Sequence, residues 1–204
     1  MIRLSARGLF LAAVATVLIC ALMYALPQHW HRGPALLLPL TSWDRAIPFW
    51  PLTGILYFGA FVFLLLTFIA LWPQRLQASR FLGACLLAQT LGMTCFLLWP
   101  TAYPRDLYPL PESTGALGAA LVNWCRSNDL AVNCLPSLHV STVVLCVAFL
   151  RGTRWFLPAL LTGIPLALST LTFKQHYVAD VVTGLALGLL SAGVFLRNAY
   201  NPAA

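Results

Sequence analysis

A chain of 204 residues that is 60% hydrophobic and only 8% charged lies outside the range of soluble domains, where about a quarter of residues are charged. The net charge of +7 comes without a basic helix or an arginine-rich tract, so it does not indicate a nucleic-acid surface. Apolar runs use up most of the length, which leaves one membrane domain and no room for a soluble one.

Six segments approach the roughly 20 apolar residues needed to cross a bilayer core: about 8–27, 53–72, 81–99, 136–151, 155–172 and 177–196. The expected fold is therefore an all-α bundle of six transmembrane helices. The first follows Met1-Ile2-Arg3-Leu4-Ser5-Ala6-Arg7, a basic start similar to that of a signal peptide. Its apolar run exceeds a cleavable h-region and no small-x-small site follows, so it reads as a retained signal anchor. The loop from Pro27 to Leu52 is proline-rich and carries Trp30, Trp43 and Trp50, residues that favour headgroup level. Within it, His29 and His31 have no motif partners and are given no role, and Asp44 with Arg45 reads as a solvated interfacial pair. The loop from Pro100 to Leu135 is the longest; it opens with Trp99-Pro100-Thr101-Ala102-Tyr103-Pro104-Arg105 and includes GALGAALVNWCRS, a candidate interfacial helix. In the last span, Gly184 and Gly188 are spaced for close helix packing.

Six spans sort the loops onto two sides. One side holds Arg3, Arg7, Arg75, Arg80, Arg151, Arg154 and Arg197 with no acidic residue. The other holds Arg32, Arg45, Arg105, Arg126 and Lys174 together with Asp44, Asp106, Glu112, Asp129 and Asp180. The positive-inside rule puts both termini in the cytoplasm. Of the six cysteines, Cys20, Cys85, Cys95 and Cys146 fall in apolar spans and read as small buried hydrophobes. Cys125 and Cys134 share the long outward loop, where a disulfide and two free thiols are both open readings.

Two polar segments stand at the outward ends of apolar helices, where ionisable groups are costly and functional by default. The first is Pro136-Ser137-Leu138-His139-Val140-Ser141; the second is STLTFKQHYVAD, from Ser169 through His176 to Asp180. His176 and Asp180 are four apart and share one helix face. The carboxylate can hold one imidazole nitrogen and leave the other as a lone-pair nucleophile. Ser137 and His139 follow Pro136, a residue favoured at a helix's first position, and a helix start offers N–H groups to a phosphate. Arg105 and Lys174 are the cations best placed to hold non-bridging oxygens. Ser141 and Ser169 can also simply hydrogen-bond within their helices. His139, His176, Asp180 and Cys134 include zinc-type ligands, but the single i,i+4 pair has no second pair of like spacing, so no metal site is assigned.

From about Pro100 to the end of the last span, the chain resembles the type 2 phosphatidic acid phosphatase superfamily. That family's second motif is Pro-Ser-Gly-His, matched by Pro136, Ser137 and His139 with Leu138 in place of glycine. Its third motif is Ser-Arg-x5-His-x3-Asp, matched by Ser169, His176 and Asp180 with Thr170 in place of arginine. The resemblance implies that His176 attacks phosphorus, oriented by Asp180, while His139 protonates the leaving oxygen and Ser137 binds phosphate oxygens. It implies neither metal nor cofactor. The family's first motif, Lys-x6-Arg-Pro, is lacking; Arg105 is the candidate for its arginine, and Lys174 for the missing cations. These departures, with Pro-Phe-Trp-Pro at Pro48–Pro51, are closer to the inositol-phosphorylceramide synthase-like branch.

The leading expectation is a lipid phosphatase in a bacterial inner membrane, its site facing the periplasm. A lipid phosphotransferase with an alcohol acceptor is the runner-up, and a non-enzymatic lipid transporter or scaffold is the alternative of another class. The expected partner is a phospholipid, or a polyprenyl or sphingolipid-type phosphate, within the bilayer; no nucleic acid is expected.

Overall fold

The computed structural model describes residues 4–30 and 34–196, with the side chains of 27–30 left aside. Arg3, Arg32, Arg197 and the imidazoles of His29 and His31 therefore lie outside the described residues. Six apolar helices form where the sequence places apolar runs: α1 (Ala6–Trp30), α3 (Gly54–Leu71), α4 (Arg75–Leu98), α6 (Leu138–Phe149), α7 (Phe156–Thr172) and α8 (Val178–Leu196). Two short helices, α2 (Ser42–Ala46) and α5 (Ala116–Asn128), belong to the long loops, and α5 is the helix expected in GALGAALVNWCRS.

Four of these helices, α1, α3, α4 and α8, are long and apolar enough to cross a membrane. The expectation of six spans is thus met by four on length. α6 has 12 residues and α7 has 17. At about 1.5 Å per residue they rise roughly 18 and 26 Å, short of the roughly 30 Å hydrocarbon core. Polar residues explain the shortfall in α6, because Ser137 ends the helix as its N-cap.

α6 and α8 form the centre. Buried Leu145, Cys146 and Phe149 of α6 join Leu187 and Ala192 of α8 in one cluster with Phe63, Phe81 and Ala84 from α3 and α4. The two glycines of α8 permit the contact. A Cβ at Gly184 would lie 2.4 Å from the carbonyl oxygen of Ser137, and one at Gly188 would lie 2.8 Å from that of Ser141. Apolar side chains on the outside, such as Phe61, Leu65, Leu66 and Ile69 of α3, stay exposed as a lipid-facing sheath.

Among the described residues the fold is all-α except for one parallel pair, β1 (Leu36–Leu37) with β2 (Thr101–Ala102), which ties the two long loops together. Ala102 also bridges Val132, and the Tyr177 hydroxyl donates to the Ala102 carbonyl at 3.0 Å. Trp50 N–H donates to the carbonyl of Thr172 at the end of α7. The long loops are thereby fastened over the end of the bundle at which α6 and α8 begin.

Candidate active site

The site is built on two helix starts. Ser137 caps α6, its hydroxyl oxygen accepting from Val140 N–H at 3.3 Å. Its own N–H donates to the Asp180 carbonyl at 3.0 Å, which joins the first turn of α6 to that of α8. His139 is therefore brought to the same end as His176 and Asp180.

α8 starts with its orphan N–H groups satisfied by two carboxylates. Asp180 reaches back to Tyr177 N–H at 2.9 Å, in the manner of a capping box, while Asp44 Oδ1 accepts from Val178 N–H at 2.8 Å. The same Asp180 Oδ2 lies 3.1 Å from His176 Nδ1, which is also 3.1 Å from the Cys134 carbonyl oxygen. Both neighbours of Nδ1 are acceptors, so in the neutral ring Nδ1 carries the proton and Nε2 the lone pair. That is the tautomer a nitrogen nucleophile requires.

His139 stacks on Tyr57 of α3, ring centroids 4.4 Å apart and planes within 10°, with Phe61 edge-on. Its Nε2 is buried and has no hydrogen-bond partner among the described residues. A buried polar atom in that condition is costly unless a ligand meets it.

The predicted cations are held differently. Arg105 spends both terminal nitrogens on Asp129, at 2.6 Å to its carbonyl and 3.0 Å to its carboxylate, and leaves Nε buried without a partner among the described residues. It lines a recess of about 220 Å³ together with Tyr103, Asp106, Arg126 and Asp129. Lys174 donates to the carbonyls of Asp44 (3.1 Å) and Ile47 (2.6 Å) and lies over the ring of Tyr108. Two of its three N–H groups are thus taken by protein. Burial pulls its pKa down, with the Asp44 carboxylate opposing. Ser169 turns its hydroxyl back to the Leu166 carbonyl at 2.6 Å, inside α7. Ser141 does the same to Leu138.

Of the two readings left open for Cys125 and Cys134, the structure has separate thiols: Cys125 Sγ faces Gln175 Oε1 and Cys134 Sγ faces the Ala131 carbonyl. Burial pushes the Cys125 thiol up to about 11, and that of Cys134 also upward, so both stay protonated. Asp44 and Arg45 are not a solvated pair. Asp44 is 3% exposed and binds Thr41 and Val178, while Arg45 donates to the Leu40 carbonyl. Its sequence signal was Thr41 three residues earlier, which forms a capping box with Asp44. Tyr57 was missed too, and nothing in its apolar surroundings marks it.

The sequence model of the PAP2 superfamily matches residues 53–194, well over half of the chain and inclusive of both histidine segments. Comparison with curated proteins and with solved structures finds no match.

Proposed function

The chain belongs to the PAP2 superfamily, and from that premise we propose that it is an integral-membrane lipid phosphatase acting through a phosphohistidine on His176. The single observation that carries this reading is the double acceptor set on His176 Nδ1, Asp180 and the Cys134 carbonyl, which in the neutral ring leaves the lone pair on Nε2.

In the proposed reaction Nε2 attacks phosphorus and the ester P–O bond breaks. The departing oxygen takes a proton from His139, whose unpartnered Nε2 suits that task. Water then attacks the phosphohistidine and gives its proton to His139. The P–N bond breaks and orthophosphate leaves. Ser137 and the N–H groups at the start of α6 hold non-bridging oxygens, with Arg105 as a candidate cation. The arginine-only end of the bundle (Arg75, Arg80, Arg151, Arg154) faces the cytoplasm, so the site opens outward, into the periplasm of a bacterial inner membrane. α6 and α7 complete a six-helix membrane bundle, their shorter length setting the site at headgroup depth.

An alcohol can replace water as the second acceptor without changing any other step. Leu138 in the second motif and the Pro48–Pro51 segment support that reading, because they are closer to the phosphotransferase branch. Phosphorus NMR on the purified protein with mixed membrane lipids and chelator, beside His176→Ala, separates the two. Orthophosphate growing only in the wild type supports the phosphatase, and phosphorus moving into a new ester without orthophosphate supports the transferase. Identical spectra for wild type and variant across lipids overturn both.

A further inference from the structure

We propose that Asp44 is a positioning residue for His176, gripping the histidine-bearing segment on both of its sides. The inference rests on His176 as the reacting group.

The segment between α7 and α8 is short and unusual. Lys174 adopts φ +55° as the left-handed residue that ends α7, its N–H donating to the Leu171 carbonyl and that of Gln175 to the Thr170 carbonyl. The ties that hold this segment from outside converge on one residue. Two positions before His176, the Lys174 ammonium donates to the main-chain carbonyl of Asp44 and to that of Ile47. Two positions after it, Val178 N–H donates to the Asp44 carboxylate at 2.8 Å. Asp44 itself is immobilised, because Thr41 N–H (2.8 Å) and the Thr41 hydroxyl (2.5 Å) both donate to its other oxygen. A carboxylate at the start of α8 is further favoured by the helix dipole.

The consequence for His176 is geometric. Asp180, which fixes the Nδ1 proton, lies in the first turn of α8, so anchoring Val178 anchors the acceptor as well. The second acceptor, the Cys134 carbonyl, belongs to a separate loop. Without Asp44 the histidine segment and that loop can shift against each other, and Nε2 loses its line to phosphorus. A misplacement of about 1 Å costs on the order of 100-fold in rate.

The test compares Asp44→Ala, Asp44→Asn, His176→Ala and wild type, as full-length chains in lipid nanodiscs. Three quantities are read: kcat and KM per folded molecule, melting temperature, and hydrogen exchange at the amides of 175–178. Asp44→Ala should lower kcat about 100-fold with KM changed less than about threefold, and should speed exchange at 175–178 about tenfold or more while α4 is unchanged. Asp44→Asn keeps an oxygen for Val178 N–H and should recover about tenfold of the lost kcat. It also keeps the test open if the alanine variant does not fold. Wild-type kcat in a folded Asp44 variant, or unchanged exchange at 175–178, overturns the inference. Turnover by His176→Ala overturns the phosphohistidine reading instead, and the exchange result then still decides whether Asp44 grips the segment.

Discussion

The nitrogen of His176 proposed as the nucleophile is defined by what surrounds the other one. With Asp180 and the Cys134 carbonyl both accepting at Nδ1, only one neutral tautomer is compatible with the site. Asp180→Asn keeps the shape and an acceptor for Nδ1 and Tyr177 N–H, but removes the negative charge that stabilises the imidazole as Nε2 bonds to phosphorus. It should lower kcat by about 10³–10⁴-fold, as for a triad carboxylate changed to its amide, in steady-state assays on folded protein. A second prediction concerns acid. Burial works against the Asp44 charge, but hydrogen bonds from Thr41 and Val178, with Lys174 nearby, outweigh it and hold its pKa below the ordinary carboxylate value. The folded value lies below the unfolded one, so this contribution is present above about pH 3.9 and is lost as pH falls through the folded value. Asp44→Asn should flatten the fall of melting temperature on the acid side of about pH 4; an unchanged acid limb would contradict it. The imidazole–carboxylate pair was legible in the sequence from its i,i+4 spacing, but the shared helix face was not the cause: His176 precedes α8, and the Asp180 carboxylate reaches back to it from the first turn. The Cys134 carbonyl and Tyr57 were not legible, since main-chain acceptors and ring stacking leave no residue pattern.

Among the elements, the contact between α6 and α8 carries the site. Gly184 touches the Ser137 carbonyl through the space a side chain would fill, whereas a Cβ at Gly193, on the same helix, meets nothing within 4 Å. Gly184→Ala must push α8 away from backbone atoms, which do not yield as a flexible side chain would. It should destabilise by about 1–3 kcal/mol and also lower activity, because Ser137 and His139 shift against Asp180. Gly193→Ala should leave activity intact and gain up to about 1 kcal/mol from helix propensity. Melting curves and turnover of the two variants side by side check both statements, and equal effects would sink the packing argument. The spacing of these glycines pointed to close packing, but not to what they would pack against. In the sequence the segment 136–151, with polar residues at its start, is already short of a full span. The cap at Ser137 shortens it, and caps act over single residues that a hydropathy window averages away.

At the scale of the whole molecule, two long loops are pinned over one end of an apolar bundle by a two-residue parallel pair and by Tyr177, Trp50 and Asp44. The opposite end is closed by short turns at 72–74 and 150–155, with Arg75 and Arg80 at the start of α4 and Arg151 and Arg154 on the second turn. The charge separation that implied this arrangement was visible in the sequence, since loop charge is a composition signal. The cross-loop ties were not, because strands of two residues fall below any periodicity. A single cysteine placed at Glu112, in a chain with Cys95 changed to serine, should react with an impermeant maleimide in intact cells. One placed at Arg151 should react only after permeabilisation, and the reverse pattern would invert the assigned orientation. The central claim is that His176 carries the phosphoryl group. The most direct measurement is alkaline quench of the working enzyme on lipid phosphate, followed by mass spectrometry of the peptide that contains residue 176. The account predicts the added mass of one phosphoryl group on His176 in the wild type and none in His176→Ala, which should not turn over. Turnover by His176→Ala, or a phosphoryl group trapped on another residue, would contradict it.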